Sequence, residues 1–382
     1  MKKNHKRFSE LDAGVPTLFL EQKTLKQNIN YLKKLSNTVG IRIATKSVRS
    51  LDVLKMLSNE LGTSFKGLMA YDLREAIWLV EEGFDNILVG YPQFDLKQIK
   101  QIDSSPRLKE SITLMIDCEG HLEALSKYNG LRLCLDIDLS LSLPGLNFGV
   151  YRSSVDKIEK IRRIKEMISS TSHYIVGLMG YEAQIAGVPD EGSFLSPIVR
   201  ILKSISQRRI RSWRRDARSL FPRLEFFNGG GTGSIHFSTS DPSVDEITIG
   251  SGFYCPKLFD GYRNLKIRPS LMYALPVVRK PRENIVTCLG GGYVASGKVG
   301  EDKAPTPIYP PGLRFISNEM AGEVQTPLRG NSAKSLKIGD KVVFRPAKAG
   351  EICERFNQIN IVDDHGCSKI VKTYRGEGKC FF

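Results

Sequence analysis

Across its 382 residues the sequence has no long uncharged apolar run, and its basic opening, MKKNHKRFSELDAG, passes into polar residues without the apolar stretch of a secretion signal. A membrane-spanning helix needs about 20 consecutive apolar residues, so neither spanning nor secretion is expected. C-x-x-C pairs are missing too: the seven cysteines stand singly at 118, 134, 255, 288, 353, 367 and 380. An odd, scattered set argues against a disulfide framework and against zinc or thioredoxin-type chemistry, and fits reduced thiols in a cytoplasm. No internal repeat or low-complexity tract is present.

What the chain does have is positive charge, +15 in formal terms, on a composition 41% hydrophobic and ample for a large core. The densest basic stretch is RILKSISQRRIRSWRRDARSLFPR, with Arg208, Arg209, Arg211, Arg214, Arg215 and Arg218. Clustered arginine alone binds phosphate without specificity, and no nucleic-acid reading motif accompanies it. A solvated helix face is the simpler explanation, and no nucleic-acid partner is expected.

Short β-rich runs alternate with helical patterns: IRIAT (41–45), KGLMA (66–70), NILVG (86–90), TLMID (113–117), LRLCLDIDL (131–139), YIVGLMG (174–180), LEFFNGG (224–230) and EITIG (246–250). Amphipathic stretches such as LDVLKMLSNELG and LREAIWLVEEGF lie between them. Apolar strands in βα units are buried on both faces, and eight of them can close a (β/α)8 barrel; a doubly wound open sheet is the competitor. From about residue 265 prolines multiply and strand-like pieces (NIVTCLGGGYVAS, DKVVFRPA, NQINIV, SKIVKTY) take over. The predicted architecture is α/β: a TIM-type barrel over 15–264, then a mostly-β domain over 265–382, into which TLFLE (17–21) can pair.

Loops after the strands build the site in such barrels. Lys46 directly follows the first strand, FNGGGTGS (227–234) the seventh and IGSGFY (249–254) the eighth. The last two loops commonly hold a phosphate, because glycine lets backbone N–H groups approach an oxyanion and Thr232 or Ser251 adds a hydroxyl. A dinucleotide loop fits less well, since no Rossmann-type helix and acidic residue follow. A lysine on the rim of a phosphate site points to a phosphorylated aldehyde held as a Schiff base, hence pyridoxal phosphate. The plainer alternative is a surface lysine at a strand end.

ATKSVRS, GLMAYDLREAIWLVEEGF, GLMGYEAQIAG, FNGGGTGS and GSGFY, in that order, resemble the alanine-racemase-type (fold type III) pyridoxal-phosphate enzymes. Within these the chain is most similar to the D-threonine aldolase and D-serine dehydratase group, in the branch labelled amino acid deaminase/aldolase. The likeness runs from about residue 15 to 378 and includes GGGYVASG, AGEVQTPL, KAGEICERFN and TYRGEG. It implies that Lys46 is the Schiff-base lysine and that Gly230, Gly231, Thr232, Gly233, Gly250, Ser251 and Gly252 form the phosphate loops. Tyr181 and Gln184 match positions facing the cofactor ring, Arg152 the arginine approaching the ring hydroxyl, and Tyr254 a second cofactor contact.

The resemblance also implies a lyase acting on a small D-β-hydroxy amino acid, by retro-aldol cleavage or by loss of water and ammonia, in a cytoplasmic homodimer. Racemisation is the alternative, with Tyr293 or Tyr309 of a second subunit as the opposing base; a non-catalytic cofactor carrier is another. Metal-activated members carry a His-x-Cys pair where this chain has RPAKAGE, with Pro346 and Lys348 in the ligand places. Proline cannot ligate, so no metal ligands are assigned. His365 and Cys367 read as a turn, and Glu351 and Cys353 are the other ligand-type residues nearby.

Overall fold

The computed structural model describes residues 5–381 apart from 144 and 299. Eight parallel strands close a barrel: Gly40–Ala44, Phe65–Ala70, Ile87–Val89, Ile112–Ile116, Arg132–Asp136, Tyr174–Gly180, Phe226–Gly229 and Glu246–Ile249. Each pairs with the next in chain order, and the eighth returns to the first, Glu246 opposite Gly40 and Ile249 opposite Ile43. All eight overlap the predicted runs, and the closed order excludes the open doubly wound sheet.

Side-chain alternation explains the closure. Ile41 and Ile43 pack outward in the large core beneath the helices, whereas Met69, Leu88, Met115, Cys134, Val176, Met179 and Phe226 form a separate core cluster. Arg42, between the two isoleucines, is fully buried: it pairs with Glu246 at 2.6 Å and also donates to the carbonyls of Leu68 and Asn86. Asn228 and Thr248 extend that network, so the buried charges are paired and hydrogen-bonded as burial requires. Outside, the helix Leu51–Leu61 buries Val53, Leu54, Leu57 and Leu61, the helical spacing of one apolar face. The helix Leu73–Glu81 starts at Asp72, whose carboxylate accepts the Arg74 N–H.

A second, nine-stranded sheet follows the barrel, built around the long strand Leu271–Arg282. Thr17–Glu21 lies inside it, antiparallel to Leu271–Arg282 on one side and parallel to Gln358–Asp363 on the other. The chain therefore enters through the second sheet before starting the barrel, which fastens the two together. The last turns reinforce this: the Tyr374 N–H donates to the Arg49 carbonyl at 2.9 Å, three residues past Lys46. Among the described residues no helix is long and apolar enough to cross a membrane.

Candidate active site

Lys46 stands in a short turn, Thr45–Ser47, at the end of the first barrel strand. Its neighbours are pinned: the Thr45 hydroxyl donates to the Met69 carbonyl at 3.0 Å, and the Ser47 and Ser251 hydroxyls share a hydrogen bond of 3.2 Å. The second sheet also presses on this turn. A Cβ on Gly350, whose φ is +77°, would lie 2.0 Å from the Lys46 carbonyl oxygen, so only glycine permits the approach. With its backbone fixed, the Lys46 ammonium reaches into solvent-accessible space and hydrogen-bonds the Tyr91 hydroxyl.

That space is a cavity of about 750 Å³ between the barrel rim and the second sheet. Lys46, Arg152, Tyr181, Gly230, Gly231, Thr232, Gly233, Gly250 and Ser251 all line it, together with Tyr91, Arg49, Ser296, Lys348 and Glu351. The loop after the seventh strand turns at Gly230, with φ +82°, where its N–H donates to the Glu182 carboxylate at 3.0 Å. Glu182 is itself fully buried and held by Arg214 at 2.6 Å and by the Ser238 hydroxyl. The Gly231 N–H turns to Ser234 at 3.1 Å, and the Thr232 hydroxyl accepts the Gly252 N–H at 3.1 Å, joining the two late loops. Among the described residues no acceptor takes the N–H of Thr232, Gly233 or Ser251. Three unspent backbone donors and a lysine amine on one cavity fit a phosphorylated aldehyde.

Tyr181 forms another wall. The Arg152 guanidinium lies 5.2 Å from its ring centre, and burial pushes the phenol up to about 12, so it stays protonated near neutrality. Behind Arg152, burial raises the Asp136 carboxyl to about 7, helped by Asp117 and opposed by the arginine.

Three predicted contacts stand off the cavity lining. Gln184 is buried with its amide donating to the Leu139 carbonyl at 2.6 Å; its Oε1 has no partner among the described residues. Gly252 spends its N–H on Thr232, and Tyr254 is fully buried with its hydroxyl on the Val48 carbonyl at 3.2 Å. Conversely, Tyr91 escaped the sequence reading, although GYPQF follows the third strand just as Lys46 follows the first.

Of the residues of ligand type, Glu351 lines the cavity, whereas Cys353, His365 and Cys367 do not. Cys353 is buried with its thiol pushed up to about 12, and His365 sits in the turn between two late strands, its N–H on Asp363 at 2.7 Å. Asp117, Cys118 and His121 do come together elsewhere, but His121 Nδ1 already accepts the Asp117 N–H at 3.0 Å and burial raises the Cys118 thiol. The basic stretch is dispersed on the helix Ser196–Ser219: Arg214 is buried against Glu182 and Asp241, and Arg218 pairs with Asp245.

Comparison with solved structures decides the fold. D-threonine aldolase from Filomicrobium marinum superposes with a TM-score of 0.79 at 17% identity over 96% of both chains. D-threo-3-hydroxyaspartate dehydratase from Delftia sp. HT23 gives 0.77 at 13% identity over 95% of this chain and 98% of that one. Alanine racemase from Clostridium difficile 630 gives 0.65 at 14% identity over 94% and 99%. The chain has the alanine-racemase-type fold.

Within that fold, Lys46 lies at the end of the first barrel strand and the glycine loops at the ends of the seventh and eighth. By sequence the chain is similar to 3-hydroxy-D-aspartate aldolase of Paracoccus denitrificans, 24% identical over 247 residues. That match takes in 63% of this chain and 60% of the relative. No family model matches the chain.

Proposed function

We propose that the protein is a pyridoxal-phosphate-dependent lyase acting on a small D-amino acid with a β-hydroxyl. The observation that carries the reading is the convergence of the Lys46 amine and the unspent N–H groups of Thr232, Gly233 and Ser251 on a single cavity. Lys46 would hold the aldehyde carbon, and the three N–H groups with the Ser251 hydroxyl would hold the phosphate. Arg152 and Tyr181 bound the space left for the ring. When bound, pyridoxal phosphate supplies an electron sink for the pair released as a bond at the substrate's Cα breaks.

The protein's own groups handle the protons and the solvent. With substrate bound, the Lys46 amine would take or return a proton at Cα, with the Tyr91 hydroxyl hydrogen-bonded to it. The second sheet covers the barrel mouth through Ser296, Lys348 and Glu351, which limits access of bulk water. The aldolase and dehydratase named among the similar proteins favour lyase chemistry over racemisation. Neither Tyr293, packed on Tyr273 and Phe356, nor Tyr309 lines the cavity of its own chain. A homodimer and a domain boundary near residue 265, between the eighth barrel strand and Leu271, belong to the same proposal.

The test is a visible spectrum after reconstitution with pyridoxal phosphate, followed by assays with D-threonine, D-serine and D-alanine, with and without EDTA. Cofactor absorbance in the wild type and its loss in Lys46→Ala are expected, with aldehyde or ammonia formed from the hydroxylated substrates. Enantiomer formation from D-alanine alone would favour the racemase.

A further inference from the structure

The cavity wall contributed by the second sheet carries a charged unit that is not among the proposed cofactor contacts. Lys348 Nζ donates to the Ser296 carbonyl at 2.7 Å and to the Ser296 hydroxyl at 3.0 Å. Glu351 lies 3.7 Å from the same ammonium, and its two oxygens accept the Ser296 N–H at 2.8 Å and hydroxyl at 2.7 Å. An ammonium has three donors and a carboxylate about four acceptor sites. Two of each are therefore spent on Ser296. One donor on Lys348 and two acceptor sites on Glu351 remain, side by side on the cavity that holds Lys46.

A donor next to an acceptor is the complement of a hydroxyl group, which accepts through its oxygen and donates through its proton. It is a poor complement of a second carboxylate: that group could take the Lys348 donor, but Glu351 would stand against it as a like charge, and it has no proton to offer Glu351.

We propose that the Lys348–Glu351 pair, braced by Ser296, recognises the substrate's β-hydroxyl and rejects an acidic side chain, which sets the preferred substrates as neutral β-hydroxy amino acids. The inference rests on the lyase reading above and deepens it. It assigns this chain a selectivity different from that named for the hydroxyaspartate aldolase and dehydratase it resembles. Lys348 and Glu351 act here by holding and excluding groups; no bond is made or broken at them.

The experiment compares kcat/KM for D-threonine and for D-threo-3-hydroxyaspartate in cofactor-loaded wild type, Glu351→Gln and Lys348→Met. Visible absorbance of the bound cofactor confirms that each variant is folded and loaded. The wild type is expected to favour D-threonine by about tenfold or more, and Glu351→Gln to shrink that ratio by about tenfold. Lys348→Met is expected to weaken D-threonine binding at least about tenfold while leaving the binding of D-alanine, which has no β-hydroxyl, within about twofold, both read as changes in absorbance. Loaded wild type that prefers the dicarboxylate, or a ratio untouched by Glu351→Gln, would overturn the inference and leave the lyase reading standing. Wild type that takes up no cofactor would overturn both.

Discussion

Two buried carboxylates, Glu182 and Glu75, behave differently because their surroundings differ. Glu182 has a dedicated cation, Arg214, and uses an oxygen to orient Gly230 at the turn into the proposed phosphate loop. Glu182→Gln keeps the size but weakens that grip, so affinity for pyridoxal phosphate should fall about tenfold. Affinity for pyridoxal, which lacks the phosphate, should stay within about twofold. Spectroscopic titration of the apoprotein with both compounds measures this, and equal losses would show that Glu182 acts on the fold at large. Glu75 has no ion-pair partner among the described residues; it accepts the Tyr71 N–H at 2.8 Å and the Tyr374 hydroxyl at 2.9 Å, and burial raises its carboxyl from 4.5 to about 7 against those hydrogen bonds and the charge of Arg49. The folded state thus binds this proton more tightly than the unfolded chain. The resulting stability is complete below pH 4.5 and is lost as pH rises through about 7. The loss is about 3 kcal/mol. Glu75→Gln cannot titrate, so urea unfolding should show a smaller decline between pH 4.5 and 7.5 in the variant than in the wild type.

Among the elements, the turns joining strands to the rim are where small side chains matter. A Cβ on Gly233 would sit 2.3 Å from the Ala186 carbonyl oxygen and 2.5 Å from the Tyr262 ring. At Gly350 the clash is with Lys46 itself, at 2.0 Å, on a backbone of φ +77°. Gly350→Ala should therefore move the Lys46 turn and lower cofactor affinity about tenfold or more, with far-ultraviolet circular dichroism unchanged. Gly83→Ala, where nothing lies within 4 Å of the added carbon, controls for replacing a positive-φ glycine at φ +93° away from the site. If both variants lose affinity equally, contact with the Lys46 turn is not the reason.

For the whole molecule, the barrel depends on its polar interior and on the second sheet. Arg42 and Glu246 are buried with their charges matched, so Arg42→Met leaves a carboxylate without its partner and should cost about 3–5 kcal/mol in denaturant unfolding. Arg42→Met combined with Glu246→Leu should recover part of that loss, because both charges are then gone. All eight barrel strands were legible in the sequence, since apolar runs buried on both faces are interrupted by turn residues at regular spacing. The position of Lys46 and of the two glycine loops at strand ends was legible for the same reason. Ser296 and Arg49 were not, because their place on the cavity depends on packing between segments far apart in the chain, whereas Tyr91 carried the same strand-end signal as Lys46. Gln184, Gly252 and Tyr254 show the converse: motif neighbours of cavity residues, they turn their polar groups to Leu139, Thr232 and Val48.

The most direct test of Lys46 as the cofactor-bearing residue is borohydride reduction of the reconstituted protein and then peptide mass mapping. The expected result is one phosphopyridoxyl group, on the peptide carrying Lys46. A label on Lys348 or any other lysine, or no label on protein that shows cofactor absorbance, would contradict the central claim.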